Sequence, residues 1–207
     1  LLGDAAPALG RGRAGVQSMA AAFAWLATAM SLVSFLAAAI SAHLMTLLSA
    51  SGLAARDAVL IGSLIGPMQV AGRIVEYGAA RNVAATSTGT FAFALMAAAM
   101  LILTQVQGIW IVALAFVIAY GWANGVFTII RGTVPQVLFG SRGYGGMLGR
   151  LARPQFFARA VAPVTLSLVQ SADASRRVAP YLLAAMGIAA VFAYRRALVL
   201  AAANKPS

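Results

Sequence analysis

Three polar residues, Tyr120, Asn124 and Thr128, recur at intervals of four in a long apolar segment. This spacing places them on one face of a helix, where a phenol, an amide and a hydroxyl can hydrogen-bond a polar molecule. Trp122 lies nearby, and Arg131 follows at the end of the segment. Because polar side chains are costly inside apolar segments of this length, this face is a candidate binding surface. The alternative is that Asn124 only hydrogen-bonds a neighbouring helix.

Ser31 and Ser34, three residues apart on another apolar segment, form a second candidate site. The simpler interpretation is that each hydroxyl bonds back to a carbonyl of its own helix. Arg159, in a third apolar segment, also has two interpretations. Its long side chain either extends to the cytoplasmic boundary or supplies a positive charge inside a cavity for an anionic molecule.

His43 is the candidate for carrying a proton, because it is the only histidine and histidine is the side chain that changes charge near neutral pH. An interfacial packing role is the simpler interpretation, since no carboxylate is near it in the sequence. The four acidic residues, Asp4, Asp57, Glu76 and Asp173, all fall in predicted loops or at predicted helix ends. We therefore expect no membrane-buried carboxylate.

Catalysis, a cofactor and a metal site are not indicated by the sequence. The chain contains no cysteine, which excludes thiolate chemistry, and its lone histidine does not form a metal-ligand cluster. A membrane-embedded serine protease would need a nucleophile facing a base, and neither Gly-x-Ser-x-Gly nor Gly-x-Ser-Gly occurs. We expect a protein that is not an enzyme and that holds no cofactor and no metal.

Composition places the chain in a membrane. Of its 207 residues, 62% are hydrophobic and 9% are charged, whereas about a quarter of the residues in a soluble domain are charged. The formal net charge of +11 raises the question of nucleic-acid binding. The basic residues lie between apolar segments, however, so no nucleic-acid partner is expected.

Six apolar segments approach the roughly 20 residues needed to cross a bilayer. They cover about residues 19–47, 58–75, 86–106, 109–130, 147–170 and 177–194. The fifth is the least regular, because Arg150, Arg153 and Arg159 interrupt it.

The basic residues orient these segments. An even number of segments puts both termini on one side of the membrane. Of the 15 basic residues, 11 lie in the termini or in the loops on that side. Because cytoplasmic loops are enriched in Lys and Arg, both termini are predicted to be cytoplasmic. The predicted division is a cytoplasmic linker at 1–18, a six-helix transmembrane domain at 19–196 and a cytoplasmic tail at 197–207.

The second segment carries a predicted packing groove. Gly62 and Gly66 are four residues apart and would share one helix face, while Pro67 interrupts the helical hydrogen bonds. The segment continues through Gln69, Gly72 and Arg73.

Two stretches resemble a known family. Residues 66–73, GPMQVAGR, resemble a signature at the end of the eighth helix in one bacterial branch of the major facilitator superfamily of secondary transporters. Residues 124–133, NGVFTIIRGT, with the Phe-Gly and Tyr-Gly pairs at 139–140 and 144–145, resemble the tenth helix and following loop of that branch. The superfamily's general loop motif contains an acidic residue that is absent here, and the loop is one residue shorter.

The resemblance implies an all-α integral membrane fold of six transmembrane helices in two inverted three-helix repeats. It implies alternating-access transport of a small solute by the carboxy-terminal half of a transporter in a bacterial inner, or plasma, membrane. The partners would be the lipid bilayer and either the missing amino-terminal half or a second copy. The conformational motif would comprise Gly66, Pro67, Gln69, Gly72, Arg73 and Arg131. A non-transporting helical scaffold or interaction subunit is the alternative.

The chain is interpreted as a fragment, or a separate half, that begins within the central cytoplasmic loop. On the predicted fold, the first, second, fourth and fifth segments surround a concave face, and the third and sixth lie outside. The substrate, the coupling ion and the direction of transport are left open.

Overall fold

A computed structural model describes residues 5–79, 83–173 and 177–203 of the chain. This part forms seven helices and no strand, so the all-helical prediction is confirmed. The helices are α1 (Ala5–Ala50), α2 (Ala55–Ser63), α3 (Ile65–Ala79), α4 (Ala85–Leu103), α5 (Trp110–Phe139), α6 (Tyr144–Ala172) and α7 (Val178–Ala202).

Five helical stretches of the described residues are long and apolar enough to cross a membrane, which indicates a multi-pass membrane protein. They are Gln17–Ala50, Ala55–Gly78, Ala85–Leu103, Trp110–Phe139 and Val178–Ala202. The second of them joins α2 to α3 through a turn at Leu64. The fifth predicted segment, α6, is a continuous helix of 29 residues that is not among the five. It carries three arginines, and these lower its hydropathy.

Two helices extend past the predicted limits of the transmembrane domain. α1 already begins at Ala5, inside the predicted linker, and α7 continues to Ala202, inside the predicted tail. Both extensions are rich in alanine, the strongest helix former, and Pro7 lies in the first turn of α1, where proline is tolerated. Residues 1–4 and 204–207 of the predicted linker and tail lie outside the described part.

α2 and α3 are counted together as one helical body, so the seven helices form six bodies. The core consists of α5, α4, α7 and α1, each packed on the next, and a smaller contact between α1 and α5 closes it. The two flanking helices are α3, which packs on α5, and α6, which packs on α1. An aromatic cluster links three core helices. Phe93 of α4 stacks on Tyr194 of α7 at 4.4 Å between ring centres and meets Phe127 of α5 edge-on at 5.3 Å.

Close backbone approach joins α3 to α5. A Cβ atom added at Gly121 would lie 2.6 Å from Cβ of Met68, and one added at Gly125 would overlap the carbonyl oxygen of Gln69. On the α3 side, a Cβ at Gly72 would lie 2.7 Å from the carbonyl oxygen of Trp122. The two α5 glycines are four residues apart and form the small-residue groove that lets two membrane helices pack backbone to backbone.

The predicted groove at Gly62 and Gly66 is wrong. The turn at Leu64 separates these two glycines onto α2 and α3, so they do not share one helix face. A Cβ at Gly66 would meet nothing within 4 Å, and one at Gly62 would meet only the flexible side-chain ends of Met45 and Leu44. The groove that does form, at Gly121 and Gly125, has the same four-residue spacing, and that spacing was the available sequence signal.

We expect Gly125→Ala to destabilise the bundle by about 1–3 kcal/mol, because the new methyl group would press on backbone atoms of α3 that cannot rotate away. Unfolding in detergent, followed by circular dichroism, measures this change. Gly66→Ala is the matched control and should leave stability unchanged or slightly higher, since its surroundings are open. Equal stability of the two variants would contradict the proposed contact.

The orientation can be tested in this cysteine-free chain with single cysteines at Ser87 and Gln105, exposed residues at opposite ends of α4. Gln107 lies near the same end of α4 and is also exposed, but its backbone φ of 36° disfavours a cysteine, so Gln105 is the better position. A membrane-impermeant maleimide should label Ser87→Cys only from the cytoplasm and Gln105→Cys only from outside. Labelling of both from one side would refute the predicted orientation.

Candidate functional site

A cavity of about 260 Å³ lies between α5 and α6 and brings together three of the predicted site residues: Thr128, Arg131 and Arg159. The remaining lining residues are Gly132, Leu148, Leu151, Ala152, Gln155 and Phe156. The wall therefore combines cationic, polar and apolar side chains.

A tight turn of the chain connects the two helices, and few of their residues contact each other. Gly140 and Gly143 have φ values of 81° and 65°, in the region that glycine adopts without strain. Across this turn the Tyr144 hydroxyl donates a hydrogen bond of 2.7 Å to the carbonyl oxygen of Gly132. The helical rise puts Arg131 about 12 Å and Arg159 about 22 Å along their helices from the turn. The two cations thus lie at different depths of the same cavity.

Arg131 is incompletely satisfied in this position. Its Nε atom is buried and has no hydrogen-bond partner among the described residues. Its guanidinium carbon lies 5.8 Å from the centre of the Phe127 ring, a favourable cation–π distance. Arg159 is exposed at the rim of the cavity. No acidic residue lines the described cavity wall, so the two positive charges face it without a carboxylate.

Gln155 was missed by the sequence analysis. Its side chain is 5% exposed, and its Nε2 donates to the carbonyl oxygen of Leu151 at 2.9 Å and lies 3.9 Å from Sδ of Met30. Ser34 donates to Oε1 of Gln155 at 3.4 Å. Ser34 therefore bonds across α1 and α6 and does not line the cavity. The sequence signal for this residue was a polar amide inside an apolar segment. The neighbouring Arg153 and Arg159 obscured it, because they make that part of the segment polar in any case.

The predicted polar face of α5 does not act as one surface. Tyr120 is 2% exposed and donates to the carbonyl oxygen of Ala37 at 3.3 Å, which ties α5 to α1. Asn124 is half-buried without a hydrogen-bond partner among the described residues, and it does not line the cavity. A step of four residues turns a helix about 40° beyond a full turn, so Thr128 faces a different neighbour from Tyr120.

Two other predicted residues have packing or backbone roles. Trp122 packs against Gly72 of α3. Ser31 donates to the carbonyl oxygen of Ala27 at 2.7 Å, which confirms the simpler interpretation for this serine. Ser31 lines a separate and mostly apolar groove that also includes Phe35 and Phe157.

His43 connects α1 to α6. Its Nε2 lies 2.9 Å from the carbonyl oxygen of Pro163, an acceptor, so this nitrogen carries the hydrogen. Either the neutral or the charged imidazole makes this bond. His43 is not part of the cavity wall, and its role in proton coupling stays a prediction.

Glu76 is buried among its neighbours in the protein, while the expectation of no membrane-buried carboxylate stays a prediction. This residue of α3 is 8% exposed, and the Thr88 hydroxyl in the first turn of α4 hydrogen-bonds it. Glu76 does lie near a helix end, as predicted, but the start of α4 reaches it. A single sequence does not show that contact.

The residues of the predicted conformational motif fall into three groups. Gln69 and Gly72 form the contact with α5, whereas Gly66, Pro67 and Arg73 are exposed. Arg131 belongs to the cavity between α5 and α6 instead.

No family model matches the chain, and neither a curated protein nor a solved structure is significantly similar to it. The resemblance to the major facilitator superfamily therefore stays a prediction.

A double-mutant cycle of Ser34→Ala and Gln155→Leu should give a coupling energy of about 0.6 kcal/mol, the average for hydrogen bonds between membrane helices. The unfolding free energy in detergent measures it. Ser34→Ala combined with Tyr194→Phe is the control and should be additive, because Tyr194 bonds elsewhere, to the carbonyl oxygen of Thr86. Additivity of the first pair would show that the bond between Ser34 and Gln155 does not contribute.

Proposed function

We propose that the chain is a six-helix unit of a secondary transporter that moves a small solute across a bacterial inner membrane by alternating access. The observation that carries this proposal is the symmetry of the helix packing. The cavity between α5 and α6 supplies the candidate solute site.

The packing pattern is unchanged when the first three helical bodies are exchanged with the last three. α1 packs on α6 and α7, and α5 packs correspondingly on α3 and α4. α4 and α7, the third body of each set, pack on each other. Because each set contains three bodies, consecutive sets cross the membrane in opposite directions. This pattern is what two inverted repeats would produce, and inverted repeats are a recurrent construction of secondary transporters.

The proposed repeats require α6 to cross the membrane in addition to the five apolar stretches, with α2 and α3 as its counterpart. Both bodies contain proline, at Pro67 in the first turn of α3 and at Pro154 and Pro163 within the continuous helix α6. Apolar segments that contain proline in corresponding positions of two repeats point to the solute site of such transporters. The arginines of α6 are compatible with a span where they line a polar cavity, as Arg159 does.

The flanking helices supply the surface for a second six-helix unit. Large apolar side chains are exposed on both: Ile74 on α3 is 66% exposed, and Phe156 and Phe157 on α6 are 66% and 70% exposed. Alternating access requires two units that move against each other around a central site. We propose that the second unit, an amino-terminal half or another copy, covers these helices and closes the cavity.

A non-transporting helical scaffold is the second candidate function. A scaffold would use the same helical bundle and the same exposed helices, but it would not require a cavity that opens to both sides of the membrane. The accessibility of the cavity from each side of the membrane separates the two functions without knowledge of the solute.

Thr128→Cys in the otherwise cysteine-free chain should react with a membrane-impermeant thiol reagent from either side of the membrane, because the proposed cavity opens alternately. The measurement is made in membranes of the native host, where the second unit is present. Phe192→Cys, on an exposed face of α7, is the lipid-facing control and should not react from either side. Reaction of Thr128→Cys from one side only would refute alternating access and favour the scaffold.

A further inference from the structure

The geometry points to a small organic oxyanion, a carboxylate or a phosphate ester, as the ligand of the cavity between α5 and α6. Arg131 and Arg159 bind the charged group, and the apolar wall contacts a short hydrocarbon part. As an assignment of the transported solute, this inference rests on the proposed function. As a binding site it is testable on the chain alone.

The charge of the cavity selects an anion. Two guanidinium groups face the same space, and none of the described lining residues is acidic. Two like charges that face one space repel each other, and one bound anion relieves this repulsion. Guanidinium groups present a planar fork of N–H donors that matches the two oxygens of a carboxylate or phosphate.

The hydrogen bonds of the wall leave the arginines as the free donors. Thr128 donates its hydroxyl hydrogen to the carbonyl oxygen of Gly125 at 2.7 Å. Gln155 donates to the carbonyl oxygen of Leu151 and accepts from Ser34. The Nε atom of Arg131, by contrast, is buried without a partner among the described residues, an arrangement that is rare in proteins. An oxyanion in the cavity supplies the missing acceptor.

The size and the apolar wall restrict the rest of the ligand. Leu148, Leu151, Ala152 and Phe156 contribute apolar side chains to the cavity wall. The volume of about 260 Å³ lies just below the range of about 300–1,000 Å³ found for sites of drug-sized ligands. The ligand is therefore a small molecule with one anionic group and a short apolar part.

Three ligands with the same tail test this assignment on the purified full chain in phosphatidylcholine nanodiscs. Hexanoate carries the anion, hexanol is neutral and hexylammonium is cationic. Equilibrium dialysis with radiolabelled ligand, corrected for empty nanodiscs, should show saturable binding of hexanoate alone. Hexyl phosphate should compete with it. Equal binding of hexanol and hexanoate would overturn the assignment.

Arginine variants locate the binding. Arg159→Gln should raise the Kd for hexanoate about tenfold or more, because a hydrogen-bonded charge pair is lost. Arg153→Gln is the matched control, an exposed arginine on the same helix that does not line the cavity, and it should bind like the unmodified chain. Arg131→Lys keeps the charge but loses the fork and should also bind more weakly. If Arg131→Lys does not fold, the comparison of the Kd for hexanoate between Arg159→Gln and Arg153→Gln decides the test. Equal Kd values for these two variants would overturn the assignment.

The source of the oxyanion is tested in nanodiscs that contain phosphatidylglycerol. Unchanged hexanoate binding supports a dissolved solute. Loss of hexanoate binding there would identify the oxyanion as a lipid headgroup and would overturn the solute assignment.

The proposed function and the anion site fail in different ways. Binding of hexanoate, together with one-sided reactivity of Thr128→Cys, would leave the site in place and remove the transport function. Two-sided reactivity without hexanoate binding would leave transport in place and remove the anion site.

Discussion

Close approach of helix backbones at small residues, first between α3 and α5, is the constraint on which the packing of this bundle depends. In lipid, apolar side chains gain little by leaving their neighbours for another helix, because acyl chains are equally apolar. Association therefore relies on dense packing, which Gly121, Gly125 and Gly72 make possible. A similar contact joins α7 to α4, where a Cβ at Gly187 would lie 3.0 Å from Cα of Ala97. Small residues thus hold both flanking and core helices in place.

This packing leaves α5 with two different faces. The glycine face is occupied by α3, while Arg131 and Thr128 face the cavity beside α6. The arginines of α6 lower its hydropathy, and one of them, Arg159, lines the cavity. The requirement for an apolar span therefore conflicts with the requirement for a positive charge in the cavity. Such local inconsistency is expected at functional positions. The helix that least resembles an ordinary span is the one that contributes most of the cavity wall.

The helical class and the approximate limits of the apolar segments could be predicted, because both follow from local composition. The partner of each helix could not. Periodicity places Tyr120, Asn124 and Thr128 near one another on α5, but it does not tell that Tyr120 bonds α1 while Thr128 faces α6. The turn at Leu64 was missed because the whole stretch Ala55–Gly78 is apolar enough to be one span, and that turn separates the two glycines of the predicted groove. The pairing of Ser34 with Gln155 joins residues far apart in the chain, which a local pattern does not reveal.

The order of helix contacts also determines when the bundle assembles during synthesis. α1 is made first, yet its main partners are α6 and α7, which are made last. α3 packs chiefly on α5, and α4 must be synthesised between them. Contacts between distant parts of a chain form late, since the intervening loops must close first. Among the seven helices, the early ones therefore leave the ribosome before their packing partners have been made.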